Sequence, residues 1–154
     1  MFNLRGGRVS YYNVGVQYRQ QFDPTVTDEV VNALRNNPAY KVPGGGLIAT
    51  PSDLARFGAA HFAPGLVGAH YEQLFTLQTT ADGEATPVGL GWRVDRDEAG
   101  RLRYHHAGNP QGARAVVLVY PEQQVSVSVM TNLGGTPRDI LGVAAGVAEG
   151  FLAD

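Results

Sequence analysis

Hydrophobic and polar positions alternate most cleanly late in the chain. From Val125 to Met130 the order is Val-Ser-Val-Ser-Val-Met, which puts the valines on one face of a strand and the serines on the other. Apolar runs at 113–120 and 102–105 and a shorter one at 89–94 predict three further strands. Turns are expected at 97–100 and 121–124. After the strands, Ile140, Leu141, Ala144, Val147, Ala148 and Phe151 recur at helical spacing and predict a closing helix. Ahead of the strands, Thr50-Pro51-Ser52-Asp53 has the grammar of a helix start. Thr50 is a capping residue, Pro51 falls where its missing N–H costs nothing, and Asp53 can reach back to the cap. Leu54, Phe57 and His61 then follow at helical spacing, so a helix is expected over 51–61, ended by Pro64-Gly65. A short helix is expected over 69–76. Earlier still, 9–18 is a strand with imperfect alternation. Residues 24–37 read as a short helix or ordered loop, with Asp28-Glu29 near the start, Arg35 near the end and Pro38 closing it. Helices, then an antiparallel meander, then a helix make an α+β pattern: an antiparallel sheet flanked by helices.

Composition narrows this picture only a little. The 154 residues suit a single domain over 1–154. A formal net charge of −2 leaves no basic stripe for a phosphate backbone, so nucleic acid is not expected as a partner. No apolar run approaches the roughly 18 residues of a membrane span, so no membrane partner is expected either. There are no cysteines, which removes disulfide and thiol chemistry. The first seven residues, Met1-Phe2-Asn3-Leu4-Arg5-Gly6-Gly7, do not read as a signal peptide. Either the chain stays where it is made or an earlier N-terminus is missing, and the compartment stays open.

Counting tests the candidate chemistry. The single lysine is Lys41, and Pro38 stands three residues before it, so a Ser-x-x-Lys nucleophile pair is absent. A Gly-x-Ser-x-Gly elbow is absent too. Of the four serines, Ser52 belongs to a helix start, Ser126 and Ser128 to a strand face, and Ser10 to the N-terminal region. His61 and His70 lack the spacing of a metal motif and read as structural or solvated. No metal or cofactor is expected. His105-His106 differs, because it runs into Ala107-Gly108-Asn109-Pro110-Gln111-Gly112, a glycine-bearing turn where backbone can closely approach a ligand. From the residues alone, a ligand-facing edge and a plain hairpin end remain equal readings.

Three segments in order resemble the serine β-lactamase-like family, of the class C and penicillin-binding esterase type. The first runs from Tyr40 to Phe57 and includes Pro43-Gly44-Gly45-Gly46-Leu47 and Thr50-Pro51-Ser52-Asp53-Leu54. The second is Gly89-Leu90-Gly91-Trp92. The third is His106-Ala107-Gly108 with its glycine turn, followed by Val116 to Pro121 and Val125 to Asn132. Together they cover roughly 38–154 and look like the C-terminal part of the family, hence a partial β-lactamase/transpeptidase-like fold. The resemblance places His106, Ala107 and Gly108 at the family's third motif, on the strand edging the active site. It implies that their backbone contributes an oxyanion-hole donor and binds the acyl side of the substrate, and that the His106 ring supplies positive character or a hydrogen bond. Ala107 departs from the usual hydroxyl residue, and Arg114 from the usual small or polar one. Tyr11-Tyr12-Asn13 does not match Tyr-x-Asn in context; Gly7-Arg8 with Tyr11 or Tyr12 looks more like the segment that precedes the Gly-Gly-Leu region.

The resemblance thus implies a hydrolase of β-lactams, D-alanyl peptides or esters without its nucleophile, inactive alone. The alternatives are one half of a split hydrolase and a non-catalytic oligomerising or ligand-binding module. The parent family is often exported to the periplasm, and its N-terminal strands would lie beside Val125 to Met130. An open Val-rich edge there is expected to recruit a second copy, residues 9–18, or a separate N-terminal polypeptide.

Overall fold

The computed structural model describes residues 12–14, 30–32, 41, 44–134 and 137–152. Among these, strands β1 (Tyr12–Val14) and β2 (Val30–Asn32) come first. Helix α1 (Pro51–Ala59), two short 3-10 turns and helix α2 (Tyr71–Phe75) follow. Then come β3 (Arg93–Arg96), β4 (Leu102–Gly108), β5 (Arg114–Tyr120), β6 (Val125–Thr131), β7 (Leu133–Gly134) and helix α3 (Ile140–Ala148). The expected meander is present: a four-stranded antiparallel sheet in the order β3-β4-β5-β6.

β5 is the centre of the fold because both its faces are apolar. Alternation sends Val116, Leu118 and Tyr120 toward α3, where they meet Val127, Ile140, Ala144 and Ala148. Val117 and Val119 point the other way, into a second core with Phe75, Trp92 and Tyr104. Such a continuous apolar run marks a strand covered on both sides. The serines of β6 explain how α1 is held on its face. Ser126 Oγ donates to the Ala55 carbonyl at 2.9 Å and Ser128 Oγ to the Pro51 carbonyl at 2.8 Å. Gly58 permits the approach, since a Cβ there would stand 2.2 Å from Ser126 Oγ and 2.9 Å from a Val117 methyl.

α1 begins as expected. The Asp53 N–H donates to Thr50 Oγ1 at 3.1 Å, and that hydroxyl donates to Asp53 Oδ2 at 2.7 Å. The helix stops at Ala59 rather than at His61, whose ring Nδ1 bonds back to the Phe57 carbonyl at 2.8 Å. The expected strand over 89–94 starts late, at Arg93, because 89–91 form a turn with Gly91 at φ +85°. The strand expected over 102–105 runs on to Gly108, which brings His106, Ala107 and Gly108 into the sheet.

The N-terminal expectations are met only in places. Within 9–18, Tyr12–Val14 is a strand; it pairs antiparallel with β2 and parallel with β7. Within 24–37, Val30–Asn32 is a strand and not a helix. Two adjacent β-branched valines favour the pleated conformation once a pairing partner lies alongside. The other residues of both segments lie outside the described ones. β6 pairs with β5 along one edge, and no strand among the described residues pairs with the other edge. No helix among the described residues is long and apolar enough to cross a membrane.

Candidate active site

The β3–β4 register decides where backbone is left open. Arg93 pairs with His105 and Arg96 with Leu102, so β3 starts beside His105 and covers β4 only up to that residue. His106, Ala107 and Gly108 continue past it, paired on the inner side with Val117, Val116 and Ala115. Among the described residues, no strand pairs with their outer edge, and in a strand alternate residues there present N–H and C=O groups outward.

A cleft of about 420 Å³ lies against this edge. Its walls are Gly44 and Gly45, Leu54 and Phe57 on α1, Gly91 and Trp92 of the turn, His106 and Gly108 on β4, and Ala115, Val116 and Val117 on β5. The glycine-rich segment, the helix that follows it and the end of β4 thus meet at one place. Of the sequence candidates, His106 and Gly108 line the cleft. Ala107 lies between them, and strand alternation puts its methyl on the opposite face.

The Gly89-Leu90-Gly91-Trp92 turn builds one wall. The Leu90 N–H donates to the Leu74 carbonyl at 2.8 Å, and the Gly89 N–H to the Trp92 carbonyl at 2.7 Å. Only glycine fits at 89, where a Cβ would sit 2.1 Å from the Leu74 carbonyl oxygen. The turn drops the indole of Trp92 into the core, 5% exposed, with ring centroids 4.9 Å from His61, 5.9 Å from Phe75 and 6.1 Å from Phe57. His61 is therefore a packing residue: its ring is buried, and its carbonyl accepts from the Tyr71 hydroxyl at 2.8 Å. His70 is exposed, with Nδ1 3.2 Å from Gln73 Oε1.

The paired histidines separate onto different faces. His106 Nδ1 lies 2.7 Å from the Gly91 carbonyl oxygen. A carbonyl only accepts, so Nδ1 carries the proton and Nε2 is the nitrogen left for another partner. His105 points to the far side of the sheet and is buried, with Nε2 3.3 Å from Asp95 Oδ2. Burial lowers the His105 pKa, and the neighbouring Asp95 offsets only part of this. Burial alone would raise the Asp95 carboxyl, but the hydrogen bonds and charge of Arg103 and His105 outweigh it and hold the carboxyl below its usual value. Further along, Arg101 ties Asp97 of the β3–β4 turn to Glu149 at the end of α3. These ion pairs brace the hairpin from behind and stay out of the cleft.

No group in the described part of the cleft is equipped to be the nucleophile. Ser126 and Ser128 are engaged with α1, Ser52 is exposed on its first turn, and none lines the cleft. Ser10 lies outside the described residues. Tyr104, on the same face as His106, is stacked on Phe75 at 3.7 Å. Burial, with smaller contributions from Tyr71, Glu72 and Glu122, pushes its phenol up to about 12, so it stays protonated and is no base. Among the described residues no group of three or more His, Cys, Asp or Glu is placed to hold a metal ion.

His106, Ala107 and Gly108 stand out in the sequence, but the walls around them do not. Leu54 and Phe57 were legible only as apolar helix positions, and the glycines at 44, 45 and 91 only as a motif.

The sequence model of the Beta-lactamase family matches residues 5–149. The chain belongs to the Beta-lactamase family. No curated protein matches it.

Proposed function

We propose that these 154 residues supply the substrate-positioning side of a serine-hydrolase site of the Beta-lactamase family, as its C-terminal part, and do not turn over substrate alone. The observation that carries this reading is the β4 edge at His106–Gly108, unpaired by any strand among the described residues and opening on a cleft that none of the described serines lines. Backbone N–H groups on such an edge can hold an acyl carbonyl and stabilise the oxyanion that forms from it. The covalent step needs an activated nucleophile within hydrogen-bond reach of a base. With Lys41 as the only lysine and Pro38 three residues before it, a Ser-x-x-Lys pair must come from another segment.

The outer edge of β6 is where such a segment would add its strand. Val127 is buried and the rest of β6 is half-buried, so that edge offers backbone partners above an already formed core. Oligomerisation through the same edge is the second reading, favoured by that open pairing capacity.

Incubation of the isolated chain with nitrocefin and with a p-nitrophenyl ester tests the proposal. Rates at the uncatalysed background are expected for both. Turnover that disappears when one of the chain's own serines is replaced would overturn the reading.

A further inference from the structure

Apart from His106, the described cleft walls are apolar side chains or backbone. Leu54 and Phe57 face it from α1, Trp92 and Val117 from the core, and Ala115, Val116 and glycines make up the rest of the apolar lining. Phe57 is 48% exposed although it stacks on Trp92, so a large aromatic face is left open to whatever enters. Among the described residues the single ionisable side chain in the lining is His106, and its Nδ1–H is committed to the Gly91 carbonyl. Among the described residues no lysine or arginine lines the cleft. The three arginines next in sequence to its walls are turned away from it, Arg93 toward His105 on the far face of the sheet. Arg56 pairs with Asp53 at 3.1 Å, and Arg114 donates to the Pro137 and Arg138 carbonyls at 2.6 and 2.7 Å.

Such a wall penalises an anion. A carboxylate entering it meets the same backbone N–H groups as a neutral carbonyl but, among the described residues, no cationic side chain to balance its charge, and a buried charge without a counter-charge is costly. A neutral acyl group loses little on entry and gains the contact area of Phe57, Leu54 and Val117. We propose that this cleft selects neutral, apolar acyl compounds, such as esters without a charge beside the scissile bond, over anionic ones. This rests on the substrate-positioning reading above and names its substrate class.

Trp92 is the only tryptophan, so its fluorescence reports cleft occupancy without any turnover. The isolated chain is titrated with benzylpenicillin and with benzylpenicillin methyl ester, which share one scaffold and differ in one charge. The ester is expected to bind at least about ten-fold more tightly, equivalent to about 1.4 kcal/mol. Phe57→Arg, which puts a cation in the wall, is expected to close or reverse the gap. The free acid binding as tightly as the ester to the unaltered chain overturns the proposal, as does the absence of a saturable change with either compound. Ring opening by the isolated chain that depends on one of its serines would instead break the reading of the chain as inactive alone. The ester-over-acid preference would then still be decided by the titration.

Discussion

Gly89→Ala is expected to destabilise the protein by about 3 kcal/mol or more, at the upper end of overpacking costs. The added methyl would lie 2.1 Å from the Leu74 carbonyl oxygen, 3.0 Å from its carbon and 3.2 Å from the Phe75 Cα. These are backbone atoms, so no side-chain rotation relieves the clash. The turn must lift away from α2, losing the 2.8 Å bond from the Leu90 N–H to the Leu74 carbonyl. The wall that carries Gly91 and Trp92 moves with it. Urea denaturation reads the effect as a lower midpoint at unchanged slope. Gly65→Ala is the control: nothing lies within 4 Å of its added Cβ, and its midpoint is expected to stay close to that of the parent chain. Equal midpoints for the two variants would mean that the turn does not sit against α2 as described.

Trp92→Ala carries the second large effect, about 3–5 kcal/mol for loss of a buried tryptophan. The indole is the piece around which His61, Phe75 and Phe57 arrange, at centroid distances of 4.9, 5.9 and 6.1 Å. Its removal opens a cavity between α1 and the sheet and takes away the floor of the cleft. Trp92→Phe keeps part of the packing and is expected to recover a large share of the loss. Because the Gly89 N–H bonds the Trp92 carbonyl at 2.7 Å, the two sites are one unit. The double variant Gly89→Ala, Trp92→Ala is therefore expected to lose less than the sum of the single losses. Full additivity in thermal or urea unfolding would show that the turn and the indole act separately.

The parts of the fold written in local chemistry were legible in the sequence. The start of α1 follows from Thr50, Pro51 and Asp53, whose capping bonds are all within three residues. The strand pattern of β6 was legible as alternation, but its reason was not. Ser126 and Ser128 face α1 because the carbonyls of Ala55 and Pro51 lie more than seventy residues away in sequence and adjacent in space. The 89–94 segment misled because its apolar content resembles a strand, while Gly91 at positive φ and the close approach at Gly89 make its first half a turn. Val30–Asn32 misled in the opposite sense: acidic and basic residues at the ends of 24–37 suggested a helix dipole, and strand pairing with Tyr12–Val14 prevailed.

The site was legible as an edge and not as a cleft. The glycine turn after His106 fitted a ligand-facing edge and a plain hairpin end equally, and the structure puts His106 and Gly108 of β4 at the cleft. Its walls come from segments far apart in sequence, around 44–45, 54–57, 91–92 and 106–117, and only the fold brings them together. The two adjacent histidines also needed the structure. Alternation along β4 predicts opposite faces for His105 and His106, but only the packing shows which face holds Asp95 and which the cleft.

The central claim is that acyl compounds bind along the free edge of β4. Amide chemical shifts of the isotopically labelled chain, recorded with increasing benzylpenicillin methyl ester, test it most directly. The account predicts saturable shifts at Gly44, Gly45, Gly91, Ala107 and Gly108 and at the Trp92 indole, with little change along α3. Shifts confined to α3 or to the outer edge of β6, with the β4 edge unmoved, would contradict it.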